Sequence, residues 1–187
     1  MSCGAGAPKW SGRCSSCGDW NTLSEELETP DAGLEPLAAS SPPTPITQLT
    51  AADGAPVPTG IAELDRVLGG GFVPGSVTLL GGEPGVGKST LVLQALAARA
   101  RAGARVLYIT GEESADQVRL RAERIDALDD NLLLAAETAM GNVAVHLEAV
   151  RPELVVVDSV QTLFDARFSS APGSVTQVCE CAHRLVQ

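Results

Sequence analysis

Aromatic residues are scarce in this chain, 3% of 187 residues, with a single tyrosine, three phenylalanines and two tryptophans. A core built on aromatic side chains is therefore excluded. The hydrophobic fraction of 44% must be filled mainly by Ala, Val and Leu, which suits a buried parallel sheet covered by helices. Long apolar runs are missing as well. The longest hold four to six residues, such as LVVV at 154–157, far short of a bilayer crossing. Basic residues are few: 13 Lys and Arg against 23 Asp and Glu give a net charge of −10. That balance excludes a chain that coats nucleic acid along its whole surface, while local basic contacts stay open. Five cysteines are an odd number. With no signal-peptide pattern at the start, they point to a reducing cytosol rather than a disulfide framework.

Three zones follow from composition. Residues 1–24 are rich in Gly, Ser and Cys, carry both tryptophans and show no helix or strand periodicity. A segment this short needs a metal to hold it. Residues 25–56 are rich in proline and acids and contain no basic residue, the composition of a flexible linker. Residues 57–187 alternate strand and helix signals. GIAELDRVL (60–68) is an expected helix stopped by three glycines, and SVTLL (76–80) an expected apolar strand. A helix is expected from Lys88 to about Ala102, and strands at 105–110, 131–137 and 154–158. Ser114 and Gln117 have the spacing of a capping box before a helix with Val118, Ala122, Ile125 and Leu128 on its apolar face. Helices are expected again over 138–150 and from Ser174 onward. Alternating β and α units imply a parallel sheet with helices on both faces.

The chemistry concentrates in GEPGVGKS at 82–89, which follows the expected strand and opens the expected helix. The pattern is that of a phosphate-binding loop. Gly82, Glu83, Pro84, Gly85, Val86 and Gly87 form its turn, and Gly85 and Gly87 let the backbone curl so that N–H groups face phosphate oxygens. Lys88 reaches the terminal phosphates, the Ser89 hydroxyl can ligate Mg²⁺, and Thr90 continues the first helical turn. Asp158, at the tip of LVVVD, is the candidate carboxylate for Mg²⁺. Glu112 and Glu113 follow the strand that ends at Thr110. Glu112 is the candidate base for an attacking water, against the alternative that both glutamates simply favour the N-terminus of the next helix. Arg119, Arg121 and Arg124 read as a solvated helix face, and His146 and His183 as surface or boundary positions. Cys179 and Cys181 read as inert helix residues.

Taken together, TGIAELDRVLGGGFVPGSVTLLGGEPGVGKSTL, VLYITGEES, VVVDSVQTL and SSAPGSVTQV resemble the bacterial RadA (Sms) DNA-repair ATPases, relatives of the RecA recombinase. The resemblance implies a RecA-like P-loop ATPase core, cytosolic, using ATP and Mg²⁺. It implies binding of single-stranded or branched DNA, branch migration of recombination intermediates, a ring-shaped homo-oligomer and the recombinase as a partner. Glu112 falls where the family keeps its catalytic glutamate, Asp158 is the Walker B acid, and residues 169–177 correspond to a region that lies toward DNA. The family begins with a four-cysteine zinc ribbon. Cys3, Cys14 and Cys17 match its second, third and fourth ligands, and the first would fall one position before Met1. With three ligands, and water or the Met1 thioether in the fourth place, weak zinc binding or none and a disordered N-terminus are expected.

Relatives of this family are more than twice as long. The chain stops within the helix after Asp158, before the next core strands, a Lys-Asn-Arg-Phe-Gly motif and a Lon-protease-like domain, and an incomplete sheet exposes an apolar edge. Two alternatives therefore stand beside the DNA motor: a nucleotide-dependent switch or scaffold without productive turnover, and an inactive fragment that cannot complete its site.

Overall fold

The computed structural model describes residues 3, 11–20, 44–48 and 54–186. Most of the expected linker, 25–56, and the residues expected to be disordered around Cys3 lie outside the described residues. The chain divides into two compact units, Met1–Leu49 and Thr50–Gln187.

In the first unit the chain reverses between Cys14 and Asp19. The Cys14 amide donates to the Asp19 carbonyl (2.9 Å) and the Gly18 amide to the Cys14 carbonyl (3.0 Å). Gly18 adopts φ +78°, a conformation that suits glycine. Arg13 and Trp20 close the reversal as an antiparallel bridge, with the guanidinium 5.9 Å from the indole ring.

The second unit is built on a three-stranded parallel sheet. Its elements run α1 (Ala62–Val67), α2 (Lys88–Arg101), β1 (Val106–Thr110), α3 (Ala115–Arg124), β2 (Leu132–Ala136), α4 (Met140–Val150), β3 (Leu154–Asp158) and α5 (Val175–Val186). The strand order is β2-β1-β3, with Val106 paired to Leu132 on one side and to Leu154 on the other. Every residue of β1 is buried, as the near-continuous apolar run VLYIT requires of a central strand. Alternation divides the strands between two layers. Val106, Tyr108, Leu154 and Val156 pack against α2 and α3 through Leu93, Leu96, Val118 and Ala122. Leu107, Ile109, Val155 and Val157 pack on the other face against Met140 and Val143 of α4 and Cys181 of α5.

Local chemistry sets the helix starts. Ser114 and Gln117 form the reciprocal capping box of α3, and the helix buries Val118 and Ala122 while Leu128 stands 48% exposed beyond its end. Helix α4 has no side-chain N-cap of its own. Glu137 replaces it, accepting from the amides of Thr138 (2.8 Å) and Ala139 (2.9 Å). The Ala139 amide and then the Asn142 side chain hold its carboxyl below the ordinary glutamate value.

One expected element is absent. Residues 76–80 form no strand, and Val77 and Leu79 are 65% and 86% exposed. The physical reason is pairing. A strand is stable only when its N–H and C=O groups join a ladder, and among the described residues neither this segment nor the outer edge of β3 has a neighbour. Helix α2 is seated nonetheless by Leu93, Leu96, Ala97 and Ala100, all within its buried face.

Candidate nucleotide-binding site

At the start of α2 the backbone has the features that an anion requires. Gly85 and Gly87 take φ +79° and +101°. The N-terminus of α2 has no side-chain cap and no acidic residue in its first turn, so its amides and the positive end of its dipole are left for a ligand. Lys88 Nζ donates to the carbonyls of Gly82 and Glu83, both at 2.9 Å, which curls the loop over its own lysine. Gly82, Glu83, Pro84, Gly85, Val86 and Gly87 are exposed, and Lys88, Ser89 and Thr90 are half-buried.

The acids lie at the C-terminal edge of the sheet. Thr110 of β1 is in register with Asp158 of β3, so the two strand tips end together, and the Gly111 amide donates to the Asp158 carbonyl (3.2 Å). Alternation puts Asp158 on the same sheet face as Val156, the face that α2 covers. The peptide bond between Asp158 and Ser159 is cis. The Ser159 hydroxyl donates to Glu112 Oε1 at 2.6 Å, linking the exposed glutamate to the residue after Asp158. Glu113 turns elsewhere and forms an ion pair with Arg121. The two glutamates are thus separated by their partners. Among the described residues, no hydrogen bond or ion pair joins Lys88 or Ser89 to Asp158 or Glu112.

Sequence reasoning overlooked two groups that touch these acids. The Tyr108 hydroxyl donates to Asp158 Oδ2 at 2.5 Å, and Tyr108 is fully buried. Burial first, and then the Asp158 carboxylate, push its phenol far above the ordinary tyrosine value, so it remains a proton donor. Ser159 is the second. Tyr108 was legible in principle as the chain's one tyrosine, two positions before Thr110 on the strand face that Asp158 shares. Ser159 had no signal beyond adjacency. Arg121 also departs from expectation. Its side chain is 19% exposed because Glu113 draws it inward, whereas Arg119 pairs with Glu123 on the exposed face.

Beyond Asp158 the chain is pinned by buried polar groups. Gln177 of α5 accepts from the Asp165 amide (2.8 Å) and donates to the carbonyls of Asp165, Phe168 and Ser170. Asp165 is paired with Arg167 and Arg184. Residues 169–177 therefore run from this pinned loop into α5. His146 is half-buried and His183 exposed, and Cys179 is exposed while Cys181 is buried.

In the first unit, the sulfurs of Cys3, Cys14 and Cys17 lie within 4.8 Å of one another, with Cys3 and Cys14 3.7 Å apart. Two thiolates of a tetrahedral zinc site, with Zn–S near 2.3 Å, stand about 3.8 Å apart, so this donor set fits zinc. The amides of Cys17 and then Ser16 bring the Cys14 thiol down to about 7. The Asp19 amide pulls Cys17 the same way, but the Cys14 and Cys3 sulfurs outweigh it and push Cys17 up to about 11. Among the described residues no helix is long and apolar enough to cross a membrane.

Comparison with known proteins covers both units. Residues 57–133 match the ATPase family described as KaiC, and residues 1–25 match a rubredoxin metal binding domain. The DNA repair protein RadA of Mycolicibacterium smegmatis is 49% identical over 178 residues, 92% of this chain and 38% of the relative. RadA of Listeria monocytogenes is 44% identical over 190 residues, all of this chain and 42% of the relative. RadA of Mycobacterium tuberculosis H37Rv is 49% identical over 175 residues, 91% of this chain and 36% of the relative. The chain thus spans about two fifths of the length of these relatives.

Proposed function

From the chain's membership in the family of bacterial RadA DNA repair proteins, RecA-like ATPases, we propose that it binds ATP with Mg²⁺ and hydrolyses it in DNA repair and recombination. The observation that carries the reading is the convergence at the sheet edge. Asp158 ends β3 and Glu112 lies two residues past the end of β1, linked through Ser159, on the sheet against which α2, the helix that follows the glycine-rich loop, is packed.

In this reading the amides of the loop from Gly82 to Gly87 and the first turn of α2 bind the phosphates, and Lys88 leaves the Gly82 and Glu83 carbonyls for the terminal phosphates. Ser89 and Asp158 hold Mg²⁺, and Thr90 completes the nucleotide contact. Bound Mg²⁺ neutralises charge that builds on the phosphates. Glu112, fixed by the Ser159 hydroxyl, orients the attacking water and accepts its proton. Glu113 is occupied by Arg121, which supports assigning that role to Glu112.

At the level of the whole protein the proposal is a cytoplasmic repair ATPase. It binds single-stranded or branched DNA, promotes branch migration of recombination intermediates, assembles as a homo-oligomeric ring and works with the recombinase. Its organisation is a zinc-ribbon-like segment at 1–24, a linker at 25–56 and an ATPase core at 57–187. Cys3, Cys14 and Cys17 provide three thiolates for Zn²⁺, held less tightly than by the four ligands of a closed structural site.

Turnover by the purified chain with and without single-stranded DNA, for the native sequence and Glu112→Gln, tests the catalytic assignment. The expected outcome is DNA-stimulated hydrolysis that falls roughly 10²- to 10⁴-fold in the variant, with ATP binding retained. Binding without turnover in the native chain would favour a nucleotide-dependent switch instead.

A further inference from the structure

The ring of Tyr108 lies in an otherwise apolar layer, and its hydroxyl reaches that layer's edge. Its neighbours on that sheet face are Val106, Leu134, Leu154 and Val156, with Leu93 and Leu96 of α2 packed over them. If this position required only aromatic bulk, phenylalanine would supply it without the cost of burying an unpaired hydroxyl. The chain has three phenylalanines and one tyrosine, and that tyrosine is fully buried with its hydroxyl 2.5 Å from Asp158 Oδ2.

The register explains the contact. Tyr108 is paired to Val156, and Thr110 to Asp158, so Tyr108 and Asp158 are diagonal neighbours on one sheet face. A long aromatic side chain spans that diagonal, and the ring reaches up the strand to the acid at its tip. A neutral phenol can only donate to a carboxylate. It therefore occupies Oδ2 and restrains rotation of the carboxyl group, while Oδ1 is not engaged by this bond.

We propose that Tyr108 is a positioning residue for metal binding: its hydroxyl holds the Asp158 carboxylate in the orientation that receives Mg²⁺ with the nucleotide. This rests on the reading of Asp158 as the Mg²⁺ carboxylate. Groups of this kind, bonded to a metal ligand rather than to the metal, typically change metal affinity by about 10- to 100-fold when removed.

Tyr108→Phe keeps the ring and deletes the donor. Binding of a fluorescent ATP analogue by the whole chain, measured across Mg²⁺ concentrations, separates positioning from packing. The expected result is about a 10- to 100-fold rise in the Mg²⁺ concentration for half-maximal tight binding, while binding in EDTA changes less than about twofold. An unchanged Mg²⁺ dependence in the variant, with normal dependence in the native chain, overturns the proposal and leaves the nucleotide reading standing. A native chain whose nucleotide binding ignores Mg²⁺ overturns the reading and the proposal together.

A second measurement needs no substitution at Tyr108. Because the chain has a single tyrosine, growth on 3-fluorotyrosine labels this position alone. Its ¹⁹F resonance is expected to shift on Asp158→Asn and on addition of Mg²⁺ with ATP, but not with ATP in EDTA. A resonance indifferent to Asp158→Asn overturns the proposal even where Tyr108→Phe fails to fold.

Discussion

Gly111 leaves no room for a side chain. A Cβ there would stand 2.1 Å from Thr162 Oγ1, 2.7 Å from Thr162 Cβ and 3.1 Å from Thr138 Cγ2. Thr162 is held in turn by its bond to the Ser159 carbonyl (2.8 Å). The absence of a side chain at one residue thus lets the tips of β1 and β3 approach until Ser159 reaches Glu112. Gly111→Ala is expected to push the segment around Thr162 away, at about 1–3 kcal/mol of stability, and to lower turnover further by breaking the Glu112–Ser159 bond. Urea unfolding midpoints report the first effect, and hydrolysis measured well below the midpoint reports the second. A variant with native stability and native turnover would remove this account of the site.

Among the elements, α5 shows how buried polar groups fix a docking geometry. Its apolar contributions include Cys181, fully buried against Leu163 and Met140, and burial pushes that thiol above its ordinary value. The rest of its attachment is ionic and hydrogen-bonded through Gln177 and Asp165. Arg167 first, and Arg184 with it, holds the Asp165 carboxyl well below the usual carboxylate range. A group depressed on folding contributes stability above its unfolded pKa, and that stability is lost as pH falls toward the folded value. Stability is therefore expected to decline below about pH 4, near the unfolded aspartate value. Asp165→Asn should lower the melting temperature at pH 7 and flatten this acid-side slope; an unchanged slope would sink the assignment. Other element boundaries were readable locally, as the Ser114–Gln117 capping box shows. Nothing in the sequence indicated the Gln177 lock, because its partners are mainly carbonyls of a loop with no periodic signal.

On the scale of the molecule, the two units answer to different forces. Among the described residues of the first, Cys14 is the one buried apolar side chain, and the sulfurs of Cys3 and Cys17 lie beside it, an arrangement whose order a bound metal would reinforce. Chelation followed by metal analysis tests the proposed zinc affinity: zinc is expected to load with excess metal and to be lost readily to EDTA. One zinc per chain retained through prolonged chelation would overturn weak binding. The second unit is held by two apolar layers about a short sheet, whose composition requires little beyond Ala, Val and Leu.

The glycine-rich turn at 82–87, the helix it opens, three of the four expected strands and the position of Asp158 at a strand tip were all legible in the sequence alone. Each depends on local patterns: glycine spacing, two-residue alternation, a capping pair, an acid at the end of an apolar run. Residues 76–80 had a strand's composition but not its structure, because a strand exists only with a partner and composition carries no partner. Tertiary structure alone decided that Tyr108 meets Asp158, that Ser159 meets Glu112, and that Arg121 claims Glu113. These contacts depend on the register between β1 and β3 and on the approach at Gly111, where residues about 50 positions apart are brought within hydrogen-bonding distance.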